Sequence, residues 1–388
     1  MSSVVIIGAG IGGLCLAQGL RKAGIPVQVY ERDERPGSRW EGYRIAINPD
    51  GAAALEACLP EPLWRAFVAT SGPGGAFGFH HARAPLPDVD TRPASRESFY
   101  AVDRAVLRRL LLAGLEDVVH FGARCSGYRV EGERVVAEFT DGRCAAGDVL
   151  VGADGTGSAV RKQYLPHARV VDAGVGGVAD KLFLTDAVRA WLPPPMQTGM
   201  NLITDGAGVA LFTSIYAPPA GARAVLEAAT GPQPDVSFAP YLLLALNTDV
   251  ARLPADLTRR DGPALRAVVD DLTAGWDPTV RRLLAEADPA SRSGVRFGVA
   301  TEPPPWSPTR VTVLGDAIHS MPATGGRGGN TALADARALV SALTDDGPLL
   351  TAIGAYEEGM RERGRAAIAD TLAIRDRMVG RVPARRAG

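Results

Sequence analysis

Short apolar runs alternate with glycine-rich segments along the first 30 residues. Residues 4–7 read VVII, residues 8–13 read GAGIGG, and residues 26–30 read PVQVY. Between the glycines and the last run, apolar side chains recur at the spacing of one helical face, at Leu14, Leu16, Ala17 and Leu20. This pattern predicts a buried strand, a glycine turn, an amphipathic helix and a second strand.

The same order of strand, glycine turn and helix recurs twice. Residues 148–163, DVLVGADGTGSAVRKQ, predict a buried strand, a turn and a helix that Ser158 caps. Residues 311–339, VTVLGDAIHSMPATGGRGGNTALADARAL, predict another strand, a long glycine-rich turn and a helix from near Thr331. Glycine at so many turn positions is typical of a ligand that touches bare backbone. Three such turns indicate a ligand larger than one pyrophosphate.

Residues 165–295 lack this pattern and include a predicted β-hairpin that turns at Asp205-Gly206. One face of the hairpin is expected to hold Met200, Leu202, Val209 and Leu211. The other is expected to hold Asn201, Ile203, Ala210, Phe212, Ser214 and Tyr216. Because this second face mixes polar and apolar groups, we expect the substrate pocket at Asn201, Ile203, Phe212, Ser214 and Tyr216. An ordinary half-exposed sheet is the alternative.

Composition narrows the class of protein. The chain has 388 residues, which favours two or three domains. A net charge of −1 argues against a nucleic-acid partner. No apolar run is long enough to span a bilayer, and the first run is broken by glycines, as in a strand and not a signal peptide. The four cysteines lack metal-ligand spacing, so we expect a cytoplasmic protein without a metal site.

The first glycine turn carries a nucleotide-binding pattern. Gly8, Gly10 and Gly13 fill G-x-G-x-x-G, in which the glycines allow a tight turn, close approach of a pyrophosphate, and close packing of the helix. Glu31 closes the second strand, where a carboxylate can accept both ribose hydroxyls, and Arg32 is included in the same candidate site. This motif alone predicts a dinucleotide and leaves NAD and FAD open.

Taken together, the motifs resemble the single-component FAD-dependent aromatic hydroxylases, of the p-hydroxybenzoate hydroxylase and salicylate hydroxylase type. The second motif comprises Gly152, Ala153, Asp154 and Gly155 with Ser158, Val160 and Arg161. The third comprises Gly315, Asp316, Pro322, Gly326, Gly328, Asn330 and Asp335. The resemblance implies FAD contacts at Gly8, Gly10, Gly13, Glu31, Arg32, Arg104, Asp154, Gly315, Asp316, Gly326, Gly328, Gly329 and Asn330.

The resemblance also implies an α/β fold, in which a Rossmann-like FAD-binding domain carries an inserted α+β substrate domain and a helical C-terminus. We expect the FAD-binding domain at residues 1–70, 100–165 and 296–345. The substrate domain is expected at residues 71–99 and 166–295, and the C-terminal helical segment at residues 346–388.

The implied activity is insertion of one oxygen atom from O₂ into a small aromatic or polyketide-like substrate through a flavin C4a-hydroperoxide. NADH or NADPH is expected to bind transiently as the electron donor. Baeyer–Villiger oxidation, epoxidation and inactivation of an antibiotic stay open as alternatives on the same fold. A non-catalytic FAD protein that binds a metabolite is a further alternative, and the oligomeric state is left open.

Two positions carry alternative interpretations. Arg327 stands where the family usually has glutamine, and its guanidinium is expected either beside the reduced flavin or a substrate anion, or in solvent. Arg327 and Pro322 are therefore the candidate catalytic residues, since no side-chain nucleophile is predicted. Asp316 is expected either to accept hydrogen bonds from the ribitol hydroxyls or to serve only as a helix N-cap. His319 is expected to be a packing residue.

Overall fold

The chain is described from a computed structural model, which covers residues 3–37, 42–75, 77–86, 99–232 and 236–379. Parts of the predicted ranges 1–70, 71–99, 166–295 and 346–388 lie outside these residues. The strands are β1 (Val4–Ile7), β2 (Val27–Tyr30), β3 (Arg44–Ile47), β4 (Gly72–Pro73), β5 (Phe77–His81), β6 (Tyr100–Asp103), β7 (Val119–His120), β8 (Cys125–Glu131), β9 (Arg134–Phe139), β10 (Cys144–Gly147), β11 (Val149–Gly152), β12 (Val170–Phe183), β13 (Met200–Thr204), β14 (Val209–Tyr216), β15 (Tyr241–Asp249), β16 (Ser293–Ala300) and β17 (Val311–Val313).

Helices connect and cover these strands. They are α1 (Ile11–Lys22), α2 (Pro49–Cys58), α3 (Glu61–Thr70), α4 (Arg104–Leu112), α5 (Ala159–Tyr164), α6 (Asp186–Arg189), α7 (Ala222–Thr230), α8 (Gly262–Leu272), α9 (Pro278–Ala285), α10 (Asp316–His319), α11 (Gly328–Thr344) and α12 (Leu349–Met378). Among the described helices, none is long and apolar enough to cross a membrane.

A parallel sheet with strand order β17-β11-β1-β2-β7 forms the centre of the first core. Every residue of β1, β11 and β17 is buried, which explains their predominantly apolar sequences. Because these three strands are parallel neighbours, their carboxyl ends lie at one edge of the sheet. The three glycine turns of the sequence therefore leave the sheet side by side.

A second sheet, with strand order β16-β12-β15-β14-β13-β5, gathers strands from distant parts of the chain. Its pairs are antiparallel except that β5 runs parallel to β13. One face packs Leu211 and Leu244 against Leu265 of α8 and Leu283 of α9 in a separate apolar core. The other face carries Tyr216 and Tyr241. We call this sheet the six-stranded sheet.

The hairpin between β13 and β14 differs from its prediction. Its connection has four residues, from Asp205 to Gly208, and Met200 lies opposite Ser214. With that register, even-numbered residues of both strands share one face and odd-numbered residues share the other. A two-residue turn at Asp205-Gly206 would instead have put even-numbered residues of β13 on the same face as odd-numbered residues of β14. The faces predicted from the sequence correspond to that turn.

Asn201 and Ile203 therefore do not share a face with the other three residues of the predicted substrate pocket. Both are buried on the face that packs against α8 and α9, with Leu211 and Thr213. The Asn201 amide nitrogen donates to the carbonyl oxygen of Pro195 at 2.9 Å and to the hydroxyl of Thr213 at 3.3 Å. These bonds leave the amide committed to the core. Phe212, Ser214 and Tyr216 lie on the opposite face.

Strand pairing crosses two of the predicted domain boundaries. The boundary at residue 296 falls inside β16, which pairs with β12 and so belongs to the six-stranded sheet up to Ala300. Residues 71–99 divide, because β4 pairs with β6 while β5 joins the six-stranded sheet. Pairing between strands far apart in sequence sets both limits, and no local pattern marks them.

Helix α12 packs on α10 and α11, close behind the third glycine turn.

Candidate cofactor and substrate site

The first glycine turn is formed by contacts that only glycine allows. Gly8 has φ +109°, and a Cβ atom on it would lie 2.3 Å from the carbonyl oxygen of Ala153. A Cβ atom on Gly13 would lie 2.1 Å from the carbonyl oxygen of Gly8. At Gly10, by contrast, no atom of the described residues comes within 4 Å of that position. Two glycines therefore close the turn, and the middle one borders open space.

Glu31 holds this turn in place. Its Oε2 accepts the backbone N–H of Ala9 at 2.8 Å, and its Oε1 accepts the backbone N–H of Asp33 at 3.0 Å. The Arg108 Nη2 atom lies 3.9 Å from Glu31 Oε2, and its Nε donates to the carbonyl oxygen of Ala9 at 3.1 Å. Each carboxylate oxygen retains accepting capacity, since such an oxygen has about two lone pairs. Arg32, next along the chain, is exposed.

The second turn, after β11, presents an unpaired acceptor. Asp154 Oδ2 accepts the backbone N–H of Ala159 at 2.7 Å. Its Oδ1 is buried and has no hydrogen-bond partner among the residues described. Arg161 Nη1 donates to the carbonyl oxygens of Thr156 and Ala317, each at 2.9 Å. The second turn is therefore tied to the third, which contains Ala317.

The third turn begins at Gly315, with φ +62°, and leads into α10. Gly315 itself is the N-cap, so the interpretation of Asp316 as a helix N-cap is wrong. The exposed Asp316 carboxylate forms no hydrogen bond or ion pair with the described part of the chain. A Cβ atom on Gly12 would lie 2.7 Å from Leu314, so the first and third turns pack directly together.

The glycine loop from Gly325 to Gly329 leads into α11, a helix of 17 residues. Gly326, with φ +61°, and Gly329 both border open space within the described structure. A Cβ atom on Gly328 would lie 3.5 Å from the Oδ1 atom of Asp316, so this loop and that carboxylate adjoin. The first N–H groups of α11 have no partner within the helix and carry its positive dipole end.

Asn330 fixes the glycine loop against β3. Its Oδ1 accepts the backbone N–H of Asn48 at 2.9 Å, and its Nδ2 donates to the carbonyl oxygens of Ala46 and Gly326 at 2.8 and 2.9 Å. Both amide protons and one acceptor site are thus used inside the protein. The side chain shapes the candidate site, and its remaining capacity toward a ligand is small.

The Arg327 side chain extends toward α12. Its Nη2 lies 3.1 Å from Asp370 Oδ2 on α12, and both side chains are about half exposed. This ion pair favours the solvent-facing interpretation of Arg327 over the flavin-facing one. Pro322 is buried and immediately precedes a short 3₁₀ turn at Ala323–Gly325. It has no ionisable group, so its contribution is to the loop conformation.

His319 is buried beneath the third turn, as expected for a packing residue. Its Nε2 lies 2.5 Å from Asp335 Oδ2, and Arg363 Nε donates to Asp335 Oδ1 at 3.1 Å. Burial disfavours the charged imidazole, but the carboxylate of Asp335 outweighs it, and the pKa of His319 is raised. This ion-pair cluster, with Gly364 packed against His319, attaches α12 to the turn.

Arg104 is the first residue of α4 and is exposed. Its Cδ would lie 3.5 Å from a Cβ atom on Gly42, so its side chain extends toward the segment before β3. The neighbouring Asp103 caps α4 by accepting the backbone N–H of Ala105 at 2.9 Å.

The six-stranded sheet brings a polar aromatic cluster to β3 and β6, and of its members sequence reasoning found only Tyr216. The Tyr241 hydroxyl donates to Asp103 Oδ2 at 2.7 Å, and Lys181 Nζ lies 4.4 Å from the Tyr241 ring centroid. The Tyr216 and Tyr241 rings are 5.2 Å apart. Arg44 of β3 completes the cluster. One sequence signal could have pointed to this cluster. Arg44 is the single charged residue in the otherwise apolar segment YRIAI, at residues 43–47.

Comparison with known proteins agrees with this geometry. The FAD binding domain family matches residues 1–346. A dual O-methyltransferase/FAD-dependent monooxygenase of Cercospora beticola is 33% identical over 389 residues, covering 93% of this chain and 44% of that protein. The FAD-dependent urate hydroxylase of Klebsiella pneumoniae is 29% identical over 377 residues, covering 93% and 86%. The chain thus spans less than half the length of the bifunctional relative.

Solved structures share the whole architecture. A candidate FAD-containing monooxygenase from Photorhabdus luminescens has a TM-score of 0.86 at 32% identity, covering 98% of this chain and 99% of that one. HpxO of Klebsiella pneumoniae, solved with FAD and uric acid, has a TM-score of 0.75 at 26% identity, covering 97% and 89%. On its sequence, its fold and the arrangement of its three glycine turns, this chain belongs to the family of FAD-dependent aromatic hydroxylases and monooxygenases.

Proposed function

We propose that the chain inserts one oxygen atom from O₂ into a small aromatic or polyketide-like substrate, with FAD as bound cofactor and NADH or NADPH as electron donor. The observation that carries the proposal is the convergence of three glycine turns at one sheet edge, next to a buried aromatic sheet face. Bound FAD supplies the redox chemistry that side chains lack.

The residues at the sheet edge fit FAD. Open space at Gly10 suits a pyrophosphate, and the spare accepting capacity of Glu31 suits ribose hydroxyls. The Asp316 carboxylate is an acceptor for ribitol hydroxyls, and the unpaired Oδ1 of Asp154 offers a further one. The positive end of α11, at Gly328, would stabilise the negative charge of the reduced cofactor.

The residues on the six-stranded sheet fit an aromatic substrate. Phe212, Tyr216 and Tyr241 share the face that meets β3 and β6. Aromatic rings bury large areas and bind flat ligands through offset or edge contacts. Such a face also keeps water from the reacting atoms, which protects reactive intermediates.

Purified, FAD-loaded protein tests the proposal. Phenols, polyketides and aromatic acids are screened for stimulation of NADH or NADPH oxidation, and products are analysed by mass spectrometry after reaction under ¹⁸O₂. We expect stimulation by at least one compound and one ¹⁸O atom in its product. FAD binding without stimulation by any compound would favour a metabolite-binding protein, and failure to bind FAD would contradict the cofactor assignment.

A further inference from the structure

Arg44 is a buried cation without a paired anion among the residues described. The residue is 6% exposed, and neither its Nε nor its Nη2 has a hydrogen-bond partner in the described structure. Burial lowers the pKa of its guanidinium to about 10, which still leaves it charged at neutral pH. A buried charge is costly unless it is paired, so the position of Arg44 calls for an interaction that the described part of the chain does not provide.

The strand places this side chain toward the candidate site. Ile45 and Ile47 pack with the core of the parallel sheet, so alternation along β3 puts Arg44 and Ala46 on the opposite face. The carbonyl oxygen of Ala46 accepts the Asn330 amide, which belongs to the glycine loop. Because alternate residues of a strand are about 7 Å apart, Arg44 lies close to that loop.

Further unsatisfied groups come from the six-stranded sheet. Tyr241 adjoins Arg44, and its ring is 5.2 Å from that of Tyr216. The hydroxyl of Tyr216 is buried without a hydrogen-bond partner in the residues described, and so is the hydroxyl of Ser214 on the same face. A cation and two hydroxyl donors therefore lie on adjoining surfaces.

Among the described residues, the charges of this region do not balance. Asp103 is already engaged, because its Oδ1 accepts the backbone N–H of Ala105 and its Oδ2 accepts the Tyr241 hydroxyl. The Lys181 Nζ atom lies 3.7 Å from the same Oδ2. Asp103 thus offsets the charge of Lys181, and the charge of Arg44 remains for another anion.

We propose that Arg44, assisted by the hydroxyls of Tyr216 and Ser214, binds an oxyanion of the substrate. A carboxylate or an ionised phenol on a flat aromatic body has this chemistry, and a guanidinium binds such oxygens through charge-assisted hydrogen bonds. The inference rests on the proposed function and deepens it, since it assigns anionic aromatic compounds as the substrate class.

Ligand titrations of the FAD-loaded protein, followed by the flavin absorption spectrum, test the proposal. Benzoate, 2-naphthoate and anthracene-2-carboxylate are compared with their neutral carboxamides, and 4-nitrophenol with 4-nitroanisole at pH 8. We expect at least one anion to bind ten-fold or more tightly than its neutral counterpart. The carboxylate and phenol pairs show which oxyanion the site accepts.

Variants assign the preference to the residue. Arg44→Met is expected to abolish the ten-fold preference and keep the affinity for neutral compounds. Arg129→Met is the control, because Arg129 is about half exposed and pairs with Glu131 and Glu138 at the surface. It should retain the preference. Arg44→Met should also bind FAD normally and melt no lower than the wild-type protein without ligand, since an unpaired buried charge is removed.

Several results would overturn the inference. The first is that the wild-type protein shows no preference for any anion, and the second is that Arg44→Met keeps the preference unchanged. The third is that Arg44→Met loses FAD or its fold, which would assign the guanidinium to the cofactor or the core. Stimulated NADH or NADPH oxidation without an anion preference would overturn this inference alone. An anion preference without such oxidation would leave it standing and contradict the proposed function.

Discussion

A Cβ atom on Gly8 would lie 2.3 Å from the carbonyl oxygen of Ala153, so the first two glycine turns touch through bare backbone. Gly8→Ala should therefore destabilise the fold. Positive φ alone costs about 1–3 kcal/mol for a residue with a side chain, and the backbone clash adds to it. Denaturant unfolding of the FAD-free protein measures this loss.

Gly10→Ala is the matched substitution in the same turn. Since no described atom lies within 4 Å of its Cβ position, the FAD-free protein should unfold with nearly wild-type free energy. FAD affinity should fall, because the methyl group would occupy the space proposed for the pyrophosphate. Equal FAD affinity of Gly10→Ala and wild type would contradict that placement.

Asp316→Ala should weaken FAD binding without loss of stability. The carboxylate makes no hydrogen bond or ion pair with the described chain, and a hydrogen bond to a charged group contributes about 1.5–3 kcal/mol. We expect FAD affinity to fall by roughly ten- to one hundred-fold, measured by titration of the FAD-free protein. Asp346→Ala, in an exposed loop, is the control. A stability loss in Asp316→Ala would indicate a structural role instead.

Arg327→Gln should leave the flavin midpoint potential unchanged. Its ion pair with Asp370 is half exposed, and such pairs contribute about 0–1 kcal/mol to stability. A guanidinium that stabilised reduced flavin by about 1.4 kcal/mol would shift a two-electron potential by about 30 mV. Spectroelectrochemical titration distinguishes the two cases, and Asp370→Asn should behave like Arg327→Gln.

Glu357 should make stability fall as pH rises. Burial raises the pKa of its carboxyl group to about 7, although its Oε1 accepts the hydroxyls of Thr312 and Tyr164. The folded pKa exceeds the unfolded value of about 4.3, so the folded state holds the proton more tightly. This stabilisation is complete below the unfolded pKa and is lost as pH rises through 7.

Glu357→Gln should remove that decline. Its free energy of unfolding, measured by urea titration at several pH values, should exceed that of wild type at pH 8 by about 1–3 kcal/mol. Glu302→Gln is the control, since Glu302 is exposed and pairs with Arg365 at the surface. A decline with pH that persists in Glu357→Gln would assign it to another group.

The sequence by itself determined the three strand-turn-helix units, because each depends on local chemistry. Buried parallel strands require mostly apolar residues, and closely packed turns require glycines such as Gly8 and Gly13. The family resemblance followed from the order of these motifs.

Only the tertiary structure decided which side chains meet. The four-residue connection of the hairpin reversed the faces of Asn201 and Ile203, since a one-residue change of register turns every side chain over. The ion pair with Asp370 brings Arg327 against α12, and Asp370 is 43 positions further along the chain. Arg44 lies beside Tyr241 because β3 packs against the six-stranded sheet. Such contacts join distant segments, and no local pattern of residues encodes them.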